Sequence, residues 1–307
     1  TGIFLKLPAG AWSDVLGRRP LLVAGTIIFA TMPFTYLGVA SLGTLIALRS
    51  IHGAATAIVG PVASASLSDI APADRRATWL STYSMVQGVG QALGPVIAGY
   101  LVAAGRYDLA FAAAGVLAAA TPLLAAGWPE RSSARAGWSR GQLPRGILDA
   151  SRQPLIVLTS LTQAAQFVLN GALSAFLPLF ARDVAGLGVA QLGWLFALQT
   201  ATTLTVRPVM GMVSDRVDRR SVIVAGLSVC SAAVWLISFA RGWAALVAAV
   251  AAYAVGVAVT SAATTAFITD LSHRARYGTS HGLFGSIYDV GDAAGPILAG
   301  LLVASLD

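Results

Sequence analysis

Long apolar runs, each closed by a short polar or basic turn, set the pattern along this chain. A helix needs about 20 mostly apolar residues to cross the hydrocarbon of a bilayer. Nine runs reach that length: 20–40, 44–67, 77–104, 109–128, 154–180, 192–213, 221–240, 244–268 and 278–303. Residues 1–11 are apolar but short and run into a charged turn, so they predict the end of a tenth span whose beginning lies outside the sequence. Glycine and proline inside the runs do not argue against them, because both are tolerated in membrane helices. The predicted fold class is an all-α polytopic membrane protein.

Composition supports a lipid solvent. With 56 % apolar and 11 % charged residues, a 307-residue chain has too little polar surface to cover a soluble globule. The net charge of +7 fits either nucleic acid or a membrane, and placement decides between them. Fourteen of the 20 Lys and Arg fall in alternate loops: Arg18, Arg19, Arg75, Arg76, Arg131, Arg135, Arg140, Arg145, Arg152, Arg216, Arg219, Arg220, Arg274 and Arg276. The opposite loops hold Arg106, Arg182 and Arg241, while Lys6, Arg49 and Arg207 lie within runs. The positive-inside rule then predicts cytoplasmic basic loops in a cell inner (plasma) membrane, and nucleic-acid binding loses its motive. The single Cys230 can form no intrachain disulfide.

The chain also repeats itself. At an offset of 201 residues (215 − 14), the sixteen residues from Gly10 to Gly25 fall on Gly211 to Gly226 with eight identities. The same register aligns Lys6 with Arg207, Asp69 with Asp270, Arg75 with Arg276, Gly94-Pro95 with Gly295-Pro296, and Ala98-Gly99 with Ala299-Gly300. An offset spanning six helices, an even number, predicts parallel repeats. The domains expected are an N-terminal half, 1–129, a cytoplasmic linker, 130–152, and a C-terminal half, 153–307.

These residues carry a resemblance to the major facilitator superfamily, whose two six-helix halves are parallel repeats around a midplane site. The resemblance covers essentially the whole chain. It implies that residues 1–11 end helix 2 and that the nine runs are helices 3 to 11, with helices 1 and 12 missing. Its most specific carrier is the loop Gly10-x-x-x-Asp14-x-x-Gly17-Arg18-Arg19, similar to the family's G-x-x-x-D-x-x-G-R-R/K signature; in the copy from Gly211 through Asp215 to Arg219 and Arg220, Asp218 replaces the second Gly. Physically, Gly10 lets helix ends approach, the acid meets a helix N-terminus or a neighbouring Arg, and the basic pair holds the inner leaflet. The loop is expected to act as a gate, with Asp14 near residues 276–278.

Leu45-x-x-x-Arg49-x-x-His52-Gly53 resembles a second family pattern, with His52 where Gln is usual. An Arg inside a span is costly and should face the bundle interior with a partner. His52, one turn on, can exchange a proton near neutral pH. Snorkelling of Arg49 to the headgroups is the plainer alternative. Gly90-x-x-x-Gly94-Pro95-x-x-Ala98-Gly99 is similar to the family's antiporter signature, which implies export against protons, although small residues four apart also serve plain packing.

In the last run, Asp289 and Asp292 stand where Gly88 and Gln91 stand in the earlier copy, beside the retained Gly295-Pro296. Asp289 sits roughly 16 Å into the bilayer, near the midplane. Two carboxylates that close do not both ionise freely, so at least one is expected to carry a proton in part of a cycle. A structural polar contact is the competing reading. Gln163, Gln166 and Asn170 share one helical face, and Gln199, Tyr253 and Tyr288 are further candidates for a substrate cavity, or equally for interhelical contacts.

No catalytic spacing, phosphate loop or zinc cage is apparent, so no enzyme activity, cofactor or metal is expected. The reading is a secondary active transporter working by alternating access, acting as a monomer on a small solute, with protons as coupling ion and export of amphipathic or drug-like compounds as direction. An importer or facilitator of the same fold is the alternative, and a non-transporting membrane sensor a more remote one.

Overall fold

The computed structural model of the chain describes residues 17–72, 75–129, 151–271 and 277–306. Regular structure among the described residues is α-helical: α1 (Arg18–Tyr36), α2 (Leu42–Ile70), α3 (Arg76–Ala103), α4 (Tyr107–Ala126), α5 (Pro154–Asp183), α6 (Val189–Ser214), α7 (Arg219–Phe239), α8 (Trp243–Leu271) and α9 (Tyr277–Leu306). Each covers one of the nine apolar runs. Residues 1–16, and the linker from 130 to 150, lie outside the described residues.

Helices suit this sequence because a backbone in lipid must satisfy its own polar groups, which a helix does within one segment. Seven of the nine are long and apolar enough to cross a membrane, which narrows the expectation of nine spans. The two that fall short are α1 and α6. Helix α1 is short and opens on Arg18-Arg19, and α6 carries Gln199, Arg207 and a run of threonines, the composition of a helix that turns one side away from lipid.

The repeat is visible in the elements themselves. Helices α1 and α7, α2 and α8, and α3 and α9 each begin 201 residues apart (219 − 18, 243 − 42, 277 − 76).

The chain divides into two compact units. Among the described residues the first holds 17–86 and 104–129, where α1 packs against α4 and α2. Its core joins Leu22, Val62 and Ala125. The second holds 87–103 of α3 together with α5 to α9, where α9 lies on α5, and α8 on α7 and α6. Helices in lipid gain little from burying apolar surface, so van der Waals contact between small residues must hold them. Accordingly, a side chain on Gly25 of α1 would collide with Val59 of α2, and one on Gly226 of α7 with Thr260 of α8. These two contacts are copies at the same offset of 201 (226 − 25, 260 − 59).

Candidate functional site

The basic turns come first along the chain. Gly17 precedes α1 with φ 88, a left-handed conformation that L side chains rarely adopt, which explains the second Gly of the signature. Its copy Asp218 has an ordinary φ of −55 and instead accepts hydrogen bonds from the Ser221 backbone N–H and hydroxyl, both at 3.0 Å. The backbone donor of Ser221, then its hydroxyl, hold the Asp218 carboxyl below its usual range. Arg18 pairs with Asp69 at the end of α2, Nε to Oδ2 at 2.5 Å, and Arg219 pairs with Asp270 at the end of α8 through the same atoms at the same distance. Arg219 also reaches Asp215, four residues earlier, at 3.1 Å. Arg19 and Arg220 are exposed, and Gly211 has open space where the approach of a neighbour was anticipated. Gly10, Asp14 and residue 276 lie outside the described residues.

Within the first unit, α1 and α2 gather a basic and aromatic cluster. The Tyr36 hydroxyl lies 3.0 Å from His52 Nδ1, and Phe29 stands edge-on to the imidazole at 5.5 Å. The Arg49 guanidinium lies 5.5 Å from the centre of the Tyr36 ring, and the Arg49 side chain is exposed rather than enclosed. Tyr36, the last residue of α1, escaped the sequence reading.

The second unit holds the polar centre. Asn170 of α5 donates from Nδ2 to Asp292 Oδ1 of α9 at 3.1 Å, and Gln199 of α6 donates from Nε2 to Asn170 Oδ1 at 3.4 Å. A carboxylate in the middle of an apolar helix therefore meets one amide donor, Asn170, which Gln199 of a third helix holds in turn. Asp289 is half-buried on the same helix. Tyr288 lies tilted against Phe167 of α5 at 4.5 Å and meets Phe284 edge-on at 5.3 Å. Deeper in, Gln163 Nε2 donates to Gln166 Oε1 at 2.7 Å, and the Thr264 hydroxyl of α8 bonds Gln163 Oε1. Gln163, Gln166 and Tyr253 are sealed, between 0 % and 1 % exposed, and Gln163 is tied to α8 through Thr264. Asn170, Gln199 and Tyr288 are half-buried. Thr264 was missed because a threonine in a span is ordinarily mute, its hydroxyl satisfied by its own helix.

Close helix approach brings these groups together. Gly171 lies under the Asp292 carbonyl, Gly291 against the Ala164 carbonyl and Gly295 against the Val168 carbonyl, each without room for a side chain. The copies Gly90 and Gly94 on α3 have open space around them. On that helix Gly99 makes the contact, where a methyl group would stand 3.0 Å from the Val189 carbonyl of α6, and Pro95 lies against Gly193. Pro296, the copy of Pro95, lies against Gly171. Among the described residues no cluster of His, Cys, Asp and Glu is arranged to hold a metal.

Comparison with known proteins agrees with this architecture. The chain is 22 % identical to an uncharacterized MFS-type transporter of Methanocaldococcus jannaschii over 97 % of its own length and 78 % of that protein. It is 30 % identical to the class C tetracycline resistance protein of Escherichia coli, over 78 % of this chain and 62 % of the relative. The class D tetracycline resistance protein of Salmonella ordonez is 27 % identical, over 94 % of this chain and 73 % of that protein. A bacterial homolog of the human lysosomal transporter Spinster, solved inward-facing and unoccupied, superposes with a TM-score of 0.71 at 19 % identity, covering 98 % of this chain and 71 % of that one. The family model of the Major Facilitator Superfamily matches residues 1–190 and again 159–307. Helices that recur at a fixed offset, with copied ion pairs at their ends, therefore have a family: the chain belongs to the Major Facilitator Superfamily, a multi-pass membrane protein of a family of transporters.

Proposed function

We propose that the chain works as a proton-coupled exporter of small amphipathic or drug-like solutes, by alternating access between halves 1–129 and 153–307 joined by the linker 130–152. On this reading it acts as a monomer in a cell inner membrane with its basic loops cytoplasmic, the loop of Gly10 and Asp14 and its copy at Asp215 serve as gates, and Arg49 with His52 forms a second proton-responsive group. The observation that carries the reading is Asp292, a carboxylate inside an apolar helix, bonded to Asn170 and through it to Gln199. Intramembrane acids are costly and mark ion or substrate pathways. The relatives named for tetracycline resistance, and a relative from Aeromonas salmonicida named as a multidrug resistance protein, support export as the direction.

The test is solute-induced pH change in proteoliposomes of the full-length protein. Asp292→Asn, alone and with Asp289→Asn, is expected to abolish proton movement while solute exchange persists. Undiminished proton movement in the double variant would overturn the assignment and direct attention to His52. An importer or facilitator on the same fold would instead show uptake, or solute flux without any pH change.

A further inference from the structure

A directional chain of hydrogen bonds runs through the sealed interior of the second unit. The Thr264 hydroxyl bonds Gln163 Oε1, and Gln163 Nε2 donates to Gln166 Oε1. There the chain stops. Gln166 Nε2 and the Tyr253 hydroxyl both lack a hydrogen-bond partner, in residues 0 % and 1 % exposed. Buried polar groups left unmade are rare in folded proteins, and within a bilayer there is no bulk water to satisfy them.

The two orphans belong to one neighbourhood. The Tyr253 hydroxyl lies within electrostatic reach of the Gln166 amide and the Asp292 carboxylate, bonded to neither. Tyr253 shares a buried cluster with Cys230 and Ala233 of α7, against which Leu169 and Leu173 of α5 pack, one residue before and three after Asn170. Asn170 in turn is bonded to Asp292 Oδ1. A phenol donates one hydrogen bond and accepts others, and an ionised carboxylate only accepts. Gln166 can therefore donate to the phenol oxygen while the phenol proton turns to the carboxylate, and both orphaned groups then have a partner.

We propose that Tyr253 is a positioning residue for Asp292: held by Gln166 at the end of the Thr264–Gln163 chain, its hydroxyl is the second donor to the Asp292 carboxylate beside Asn170, and the two open links close when that carboxylate ionises. This rests on the reading of Asp292 as the coupling acid. The proton that leaves Asp292 goes to water in the opened cavity, and Tyr253 keeps its own. Donation to the charged form favours it, so removing Tyr253 must raise the proton affinity of Asp292. The other titratable groups nearby are Tyr288 and Asp289 on α9 and Cys230 on α7, whereas α5 and α6 present the neutral amides Gln163, Gln166, Asn170 and Gln199.

The experiment is a pH titration of the protonated-carboxyl infrared band in the full-length protein, with Asp292→Asn assigning the band. Tyr253→Phe is expected to raise the midpoint by about one pH unit, a roughly tenfold gain in proton affinity. Gln166→Leu, which unties the hydroxyl, is expected to raise it by less, and carries the test if Tyr253→Phe does not fold. A structural role alone would lower the melting temperature and leave the midpoint in place. An unmoved midpoint in both variants, with the band still removed by Asp292→Asn, overturns the positioning role and leaves the coupling acid standing. A band that survives Asp292→Asn overturns the coupling acid itself.

Discussion

The two copies of the repeat begin their helices in opposite ways. Gly17 enters α1 with φ 88 and no side-chain cap, whereas its copy Asp218 enters α7 with φ −55 and caps Ser221. One helix later the roles are exchanged: Ser41 accepts from the Thr44 backbone N–H at 3.2 Å to start α2, and its copy Gly242, with φ 78, precedes α8. Either device turns the chain into a helix, glycine by its freedom at positive φ and an acidic or hydroxyl side chain by accepting from the first orphaned N–H groups. What both copies keep is the ion pair from the new helix to the end of the next, Arg18 to Asp69 and Arg219 to Asp270. The contrast teaches that one turn position can be closed by either device while the ion pair beyond it stays the same. In the copied seams the pattern is reversed: Gly90 and Gly94 match Gly291 and Gly295 in sequence, yet only the latter pair seats a helix among the described residues.

That second contrast predicts the largest effect. Gly295→Ala must push α9 away from the Val168 carbonyl and is expected to cost about 1–3 kcal/mol, as overpacking generally does. Gly94→Ala meets open space and is expected to change stability by less than about 0.5 kcal/mol. Thermal unfolding in mild detergent measures both, and equal losses would mean that the seams are equivalent.

Smaller effects separate the ion pairs. Asp69 and Arg18 are 23 % and 18 % exposed, but Asp270 is 53 % exposed, so water screens the second pair more. Asp69→Asn is expected to cost about 1–2 kcal/mol and Asp270→Asn at most about 1 kcal/mol, with the latter fading in high salt. A larger loss at Asp270 in the same unfolding assay would reverse the order of the two pairs.

The smallest effects lie in the turns. Gly17→Ala is expected to cost about 1 kcal/mol through strain at positive φ, while Asp218→Gly, at an ordinary φ, loses only its cap. Because the folded Asp218 carboxyl lies below its reference of 3.8, its stabilisation is full above that value and is lost as pH falls through the lower folded one. The stability difference between the parent chain and Asp218→Ala should therefore be flat at neutral pH and shrink only in acid. A difference that instead grows in acid would mean that the cap is not made by the ionised carboxylate.

The helices, the offset of 201 residues and the basic loops were legible in the sequence, because each depends only on the order of apolar and polar residues along the chain and on the bilayer's thickness. The cost of a carboxylate in an apolar run likewise marked Asp289 and Asp292 without any structure. Partners were another matter. Asp69 and Asp270 were aligned as copies, but nothing in their order said that each would meet the arginine opening the preceding helix. Asn170 and Asp292 lie 122 residues apart, and they meet because glycines on α5 and α9 let two backbones come into contact. The same packing left Gln163, Gln166 and Tyr253 between 0 % and 1 % exposed, a burial that helical spacing alone could not give. Hydropathy states that a helix is in the membrane, but which of its faces meets lipid, a neighbour or a cavity is decided by how closely the other helices can approach it.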